Sequence, residues 1–280
     1  MSGLLPRIDF YTARDGRRLA VRIWNAIDPP RGRVVFLHGI TSHGGWYNHS
    51  CHYLNTMGFE VHFLDRRGSG LNAENRGDVA DCQTWLDDVS AYLEQIRNAR
   101  PVVLCGISWG GKLAAAVARL HPSLLRGLAL LSPGLYSHFE PNVVQRAALR
   151  LPMRRRMRQR RVEIPLYAAL FTDTPRWLKY VAGDPLSLRE VTLGFTKADA
   201  ELTRLARQSA PYLRTPTLMV LSGRDRIVDN RRCKAYLSHS GAVHKTLIEY
   251  PNAAHTVEFD PAPERYFWDL AEWIGTTIAK

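Results

Sequence analysis

Six short runs that are apolar almost from end to end, with helix-like segments between most of them, restrict the fold more than any other feature of this chain. They are VVFLHG (34–39), EVHFLDR (60–66), PVVLCG (101–106), GLALLS (127–132), PTLMVLSG (216–223) and HKTLIEY (244–250). A strand with one wet face alternates apolar and polar residues, whereas a strand covered on both faces does not. Covered strands alternating with helices call for a mostly parallel sheet with right-handed crossovers. The helical segments include TWLDDVSAYLEQIRNAR (84–100), with Thr84 as its expected N-cap and acids in its first turn, and WGGKLAAAVARL (109–120). ERYFWDLAEWIGTTIA (264–279) carries Phe267, Leu270, Ile274 and Ile278 as one stripe. Ahead of these, IDFYTARDGRRLAVRIW (8–24) reads as a hairpin turning at Asp15-Gly16.

One stretch interrupts the alternation. From Gly134 to Pro211 the pattern shows no strand, only helical and proline-broken segments. That is too long for a structureless connection in a compact domain. The expected organisation is an α/β core of residues 1–133 and 212–280, with residues 134–211 inserted as a helical cap.

Composition narrows the function classes. No apolar run approaches the roughly 20 residues that span a bilayer, and the N-terminus carries no signal-peptide pattern. Cys51, Cys82, Cys105 and Cys233 show no CxxC spacing and read as free thiols in a reducing, cytoplasmic compartment. Cys105, inside an apolar run, reads as a small buried hydrophobe. The net charge of +12 is concentrated in RAALRLPMRRRMRQRR (146–161), which holds eight arginines. With few interleaved aromatics and no nucleic-acid-binding signature, this segment reads as a solvated basic helical face, not a nucleic-acid site. The sharper reading is contact with an anionic membrane surface through Arg154, Arg155 and Arg156, with Leu149, Leu151 and Met153 turned to a pocket. Nothing in the sequence specifies an oligomeric state.

The chemistry centres on CGISWGGK (105–112). Ser108 stands between Gly106 and Gly110, where an apolar run ends and an alanine-rich helix begins. A hydroxyl needs a base to become a nucleophile, and it must stand clear of the sheet. A sharp strand-to-helix turn lifts it clear and leaves no room for side chains two residues to either side. The following helix aims its N-terminal amides at a developing oxyanion. This arrangement resembles the nucleophile elbow of α/β-hydrolases, which implies an acid and then a histidine later in the chain, each after a strand. After PTLMVLSG comes RDRIVD (224–229), where Asp225 lies closer to its strand than Asp229. After HKTLIEY comes PNAAH (251–255), ending at His255. Ser108, Asp225 and His255 are therefore the candidate catalytic residues. The amides of Trp109 and Ile40 are the candidate oxyanion donors, with Gly39 letting the backbone come close.

HGIT, DRRGSG, GISWGG, GRDRIVD and NAAHTVEF occur in order along nearly the whole chain. Together they resemble the α/β-hydrolase superfamily, and within it the monoglyceride lipase and lysophospholipase (serine aminopeptidase-like) branch. That branch usually has an HGxxEH-like stretch, and Ser42 stands here in place of the acid before His43. It usually reads DxxGHGxS, where this chain has Asp65-Arg66-Arg67-Gly68-Ser69-Gly70-Leu71-Asn72. The resemblance implies an α/β-hydrolase fold with a helical cap and a serine hydrolase that cleaves carboxylic esters through an acyl-enzyme. It implies a small lipid-like ester substrate, a monoacylglycerol or lysophospholipid, and no cofactor or metal. Amide or thioester hydrolysis on the same triad, and a non-catalytic ligand receptor on the same fold, are the alternatives.

Other residues invite chemical readings. His43, His49 and His52 lie close together but read as a polar loop near the pocket, not a metal site. Asp65 reads as the anchor of the DRRGSG turn, and Lys112 as solvent-facing or salt-bridged. Trp46, Tyr47 and Trp109 lie near the expected site and read as candidates to line an acyl pocket, with core packing an equal reading for Trp46 and Tyr47; Gly39 and Trp46 are the candidate substrate-binding residues.

Overall fold

A computed structural model describes residues 5–25, 29–97 and 100–279. The expected hairpin forms β1 (Arg7–Thr12) and β2 (Arg18–Trp24), paired antiparallel. The apolar runs form β3 (Gly32–Leu37), β4 (Phe59–Leu64), β5 (Val102–Ile107) and β6 (Gly127–Leu131). Between β6 and the later core strands lie β7 (Arg161–Glu163) and β8 (Glu190–Thr192), which pair only with each other. β9 (Thr217–Ser222) and β10 (Lys245–Tyr250) complete the main sheet. Its eight strands run in the order β1-β2-β4-β3-β5-β6-β9-β10 and are parallel from β4 to β10. The middle of the sheet is dry: Val34, Val35, Phe36, Val103, Leu104, Cys105 and Leu128 are all fully buried. The edge strand β10 is half exposed, which is why its sequence is the least apolar of the set.

Helices α1 (Asn48–Thr56), α2 (Cys82–Gln95) and α3 (Trp109–Leu120) connect the central strands. The insertion contributes α4 (Val143–Arg150), α5 (Arg155–Arg158), α6 (Ala168–Phe171), α7 (Pro175–Gly183) and α8 (Leu193–Gln208). The core ends with α9 (Asn230–Ser238) and α10 (Glu264–Ala279). The helix α8 lies along α3, and this contact seats the insertion on the core.

Three expectations change. The helix containing Leu86 starts earlier than Thr84: Asp81 is the cap, and its carboxylate accepts the Thr84 amide at 2.8 Å and the Thr84 hydroxyl at 2.9 Å. The acids Asp87 and Asp88 therefore sit beyond the first turn, and the helix ends at Gln95. The insertion holds a short ribbon, β7–β8, too brief and too exposed to leave a period-two signal. The arginine-rich stretch is two helices, because Pro152 stops the first; Leu149 is buried, but Leu151 is 63% exposed and turns away from the pocket.

Candidate active site

Ser108 lies at the end of β5 and immediately ahead of α3, with φ of 50° and ψ of −118°. A non-glycine residue held at positive φ stores strain, and the neighbouring backbone holds it there. The Ser108 amide donates to Leu131 O at 2.9 Å, and its carbonyl accepts from Gly111 and Gly134 at 2.9 and 2.7 Å. A side chain at Gly106 would meet Gly110 O at 2.5 Å, and one at Gly110 would run into the Leu37 carbonyl. The two glycines are required by close approach of strand, turn and helix. Trp109 opens α3, so its amide has no intrahelical acceptor.

The loop after β3 lies against the same hydroxyl. A Cβ at Gly39 would stand 3.4 Å from Ser108 Cβ and 3.7 Å from its Oγ. Arg66 holds this loop from behind. Its guanidinium donates to Gly39 O at 3.2 Å and to Ile40 O at 2.9 Å, and lies 4.4 Å from the centre of the Trp109 ring. Burial pulls the Arg66 pKa down to about 9, which still leaves the group cationic at neutral pH. His38 supports the loop too: its Nε2 accepts the Arg66 amide at 2.8 Å and its Nδ1 meets Gly39 O at 2.7 Å. Burial, reinforced by the Arg66 charge, holds His38 well below the usual imidazole pKa, so it serves as a neutral strut.

Asp225 follows β9 and His255 follows β10. Asp225 Oδ1 accepts the amides of Ile227 and Val228 at 2.8 and 3.0 Å. Those bonds turn the other oxygen, Oδ2, to His255 Nδ1 at 2.7 Å. The Asp225 side chain is fully buried and that of His255 is 3% exposed. His255 Nε2 is buried without a hydrogen-bond partner among the described residues. Asp229, the alternative acid, caps α9 by accepting the Arg232 amide at 3.0 Å. The strand ends are stitched together: Ser132 and Ser222 hydroxyls meet at 3.0 Å, and Ser222 Oγ donates to His255 O at 3.4 Å. Ser108, Asp225 and His255 thus stand at the carboxyl ends of β5, β9 and β10, along one edge of the sheet.

A cavity of about 430 Å³ opens above Ser108, between the core and the insertion. Ile40, Trp109, Ile227, Leu149, Ile164 and Leu166 give it an apolar part to its lining. Trp46, expected at the pocket, is elsewhere. It is 1% exposed, packs against Phe171 and Phe259, and donates its indole N–H to Asp184 Oδ2 at 2.7 Å. Gly39 stands beside Ser108 but is not among the cavity's lining residues. Lys112 is salt-bridged: its Nζ meets Asp199 Oδ1 at 2.5 Å, where the Trp109 indole also donates at 2.6 Å. Asp65 accepts the Gly44 and Leu71 amides at 2.8 and 2.9 Å and so ties the DRRGSG turn to the neighbouring loop. His43 bonds Asp184, the His49 ring packs on Trp177, and His52 Nδ1 is buried with no hydrogen-bond partner among the described residues. Among the described residues no group of His, Cys, Asp or Glu could hold a metal ion, and no helix is long and apolar enough to cross a membrane. All four cysteines are free thiols, and Cys105 is fully buried.

Reading the sequence locally could not find three supports of the site. Arg66 was legible only as part of a turn, Asp199 sits far away on α8, and the His43–Asp184 pair joins residues from the core and the insertion.

A profile of the serine aminopeptidase S33 family matches residues 28–262. The chain is 24% identical to a monoacylglycerol lipase of Mycolicibacterium smegmatis, over 92% of this chain and 93% of that one. It is also 24% identical to phospholipase YtpA of Bacillus subtilis, over 87% and 95%. The fold superposes on the crystal structure of a Paleococcus ferrophilus monoacylglycerol lipase with a TM-score of 0.84, at 22% identity and covering 93% of this chain and 100% of that one. A thermostable carboxyl esterase of Bacillus coagulans, crystallised with glycerol, superposes with a TM-score of 0.83 at 19% identity, covering 97% and 98%.

Proposed function

The chain belongs to the serine aminopeptidase S33 family of α/β-hydrolases and is a serine hydrolase of the lipase and esterase type; from that premise we propose that Ser108, His255 and Asp225 are its nucleophile, base and acid. His255 Nε2 takes the Ser108 proton as Oγ attacks the ester carbonyl. Asp225 holds the imidazole in the tautomer with hydrogen on Nδ1 and stabilises the cation that forms. The Trp109 and Ile40 amides receive the oxyanion, a donor of this kind contributing about 3 kcal/mol to the transition state. The tetrahedral intermediate collapses, the C–O bond breaks, and His255 returns the proton to the departing alcohol. Water then attacks the acyl-serine with the same base, releasing the acid and restoring the hydroxyl.

One observation carries this reading: an imidazole fixed by a buried carboxylate on one nitrogen and left unpartnered on the other, at the sheet edge that presents Ser108. The substrate we propose is a small lipid-like ester, a monoacylglycerol or lysophospholipid, supported by the apolar cavity lining and by the names of the relatives. The insertion is the part we propose meets lipid aggregates. Val143 and Val144 are 72% and 78% exposed, and Arg154, Arg155 and Arg156 follow on the same segment.

The test pairs covalent labelling with turnover. The parent protein should react with a fluorophosphonate probe and hydrolyse p-nitrophenyl butanoate, and Ser108→Ala should do neither while melting at the parent temperature. A folded Ser108→Ala variant with parental turnover would refute the assignment. Binding to anionic vesicles that persists at high salt would remove the arginines from the membrane reading.

A further inference from the structure

The cavity above Ser108 has a second chemical character along the wall formed by α4 and α8. There, basic side chains outnumber carboxylates. The carboxylates that line it are already engaged. Asp199 holds Lys112 and the Trp109 indole. Glu140 holds Arg146, at 3.5 Å, and Arg207. Glu201 lies beside the Cys82 thiol and one turn of α8 from Lys197 and Arg204, but within ion-pair distance of neither. Three lining cations form no ion pair among the described residues. Lys197 Nζ donates to Leu151 O at 2.8 Å, and Arg204 donates to the Gln208 side-chain oxygen at 3.1 Å. Arg150 forms no ion pair among the described residues, although it lines the same cavity.

A basic residue on a helix surface is ordinarily just solvated. These three differ in sharing one concavity with the nucleophile, from two different helices. Lys197 and Arg204 are two turns apart on one stripe of α8, about 10 Å along its axis, and Arg150 closes the end of α4 that packs on α8. Cations without an ion-pair partner around a partly apolar concavity raise the local concentration of anions, and they attract more strongly than they would on an open surface. Arginine adds a planar fork that matches phosphate or carboxylate oxygens.

We propose that Arg150, Lys197 and Arg204 form an anion subsite, so that the preferred substrate is an ester carrying a phosphate or carboxylate group at a distance from the scissile bond, in preference to the neutral glycerol ester. This rests on the reading of Ser108 as nucleophile. The anion itself is unchanged: the acyl carbon passes to Ser108 and then to water, as for any ester.

The experiment uses monomeric short-chain substrates, so that surface adsorption plays no part. They are hexanoyl glycerol, hexanoyl glycerol 3-phosphate, and a glycerol monoester of a six-carbon acid with a terminal carboxylate. The parent protein is expected to favour one of the two anionic esters over hexanoyl glycerol in kcat/KM by at least about tenfold, less so in high salt. Which anionic ester wins tells whether the charge belongs to the alcohol or to the acyl side. In Lys197→Gln/Arg204→Gln, with an unchanged melting temperature, the ratio of anionic to neutral kcat/KM should collapse towards one. A parental preference for the neutral ester, or a ratio untouched by the double substitution, overturns the proposal. Calorimetry on Ser108→Ala separates the two readings. If that protein binds the anionic ester more tightly than the neutral one, and loses the difference on Lys197→Gln/Arg204→Gln, while the parent hydrolyses neither, the subsite stands and the nucleophile assignment falls. Equal binding of both esters sinks the subsite alone.

Discussion

His255 and His43 are both buried, and each faces an aspartate, at 2.7 and 3.0 Å. Their second nitrogens differ. His255 gives Nδ1 to Asp225 and keeps Nε2 unpartnered. His43 gives Nε2 to Asp184, while its Nδ1 accepts the Gly45 amide at 3.0 Å and faces Arg22 at 3.4 Å. The aspartates differ in the same way. Asp225 is turned by two backbone amides and serves one histidine. Asp184 collects His43, the Trp46 indole and the Ser187 hydroxyl on a single oxygen. Burial raises the Asp184 pKa, but the bonds from His43 and Trp46 outweigh it and hold the carboxyl well below the ordinary range. A buried His–Asp pair is therefore not by itself a catalytic device. Saturated with partners, it is a bolt, here joining the loop after β3 to the insertion. With one nitrogen left over at the strand ends that carry Ser108, it is the pair we propose as the base.

Equivalent substitutions in the two pairs should separate these roles. His255→Ala should cut kcat about 10⁴-fold or more, and Asp225→Asn about 10⁴-fold by favouring the wrong tautomer, with little change in melting temperature. Asp184→Asn should do the reverse, removing about 3 kcal/mol of stability because His43 and Trp46 lose a shared charged acceptor. Its kcat should fall less than tenfold. Guanidinium melts and steady-state kinetics on the same preparations decide the matter. Comparable kcat losses in Asp184→Asn and Asp225→Asn would erase the distinction between bolt and base.

The difference also explains what local sequence could reveal. Ser108 was legible because strand, glycine, serine and helix are contiguous, so the backbone constraint is written within eight residues. Asp225 and His255 were legible because each follows its own strand closely. The bolt was not: His43 and Asp184 are 141 positions apart, and nothing near either one names the other. Trp46, an aromatic near the site in sequence, was expected at the pocket for want of that information. The helix start at Asp81 was missed because an amphipathic stripe fixes a face, not an end. The ribbon β7–β8 was missed because its three-residue strands are too short for alternation to register.

Arg66 tests whether the loop after β3, which we propose binds the oxyanion, is held from the core in the way the bolt holds it from the insertion. Arg66→Met keeps the packing against Trp109 but loses the donors to Gly39 O and Ile40 O. If those bonds place the Ile40 amide, kcat should fall by about 10- to 100-fold with KM nearly constant, since an oxyanion donor acts mainly in the transition state. Loss confined to KM would make Arg66 a wall of the pocket and not a strut of the loop.

Glu258 lies three residues past His255 and is bonded to the helix that follows the His43 loop. Its Oε1 accepts the His49 and Ser50 amides, both at 3.1 Å, and its Oε2 has no partner among the described residues. Burial pushes its pKa up to about 7, against the pull of those amides. The Cys51 thiol and Tyr266 hydroxyl nearby are raised well above their usual values and stay neutral in this range. A carboxyl whose folded pKa is raised favours the folded state most below its unfolded value near 4.5, and that contribution is lost as pH rises through about 7. The parent should therefore lose about 2 kcal/mol of stability between pH 5 and pH 8 from this group. Glu258→Gln keeps an oxygen for the two amides and removes the titration. Its stability should vary less across the same window, so that the variant gains on the parent as the pH rises. Parallel stability curves for the two proteins would mean that Glu258 keeps its charge when folded, and that the α1 amides alone compensate its burial.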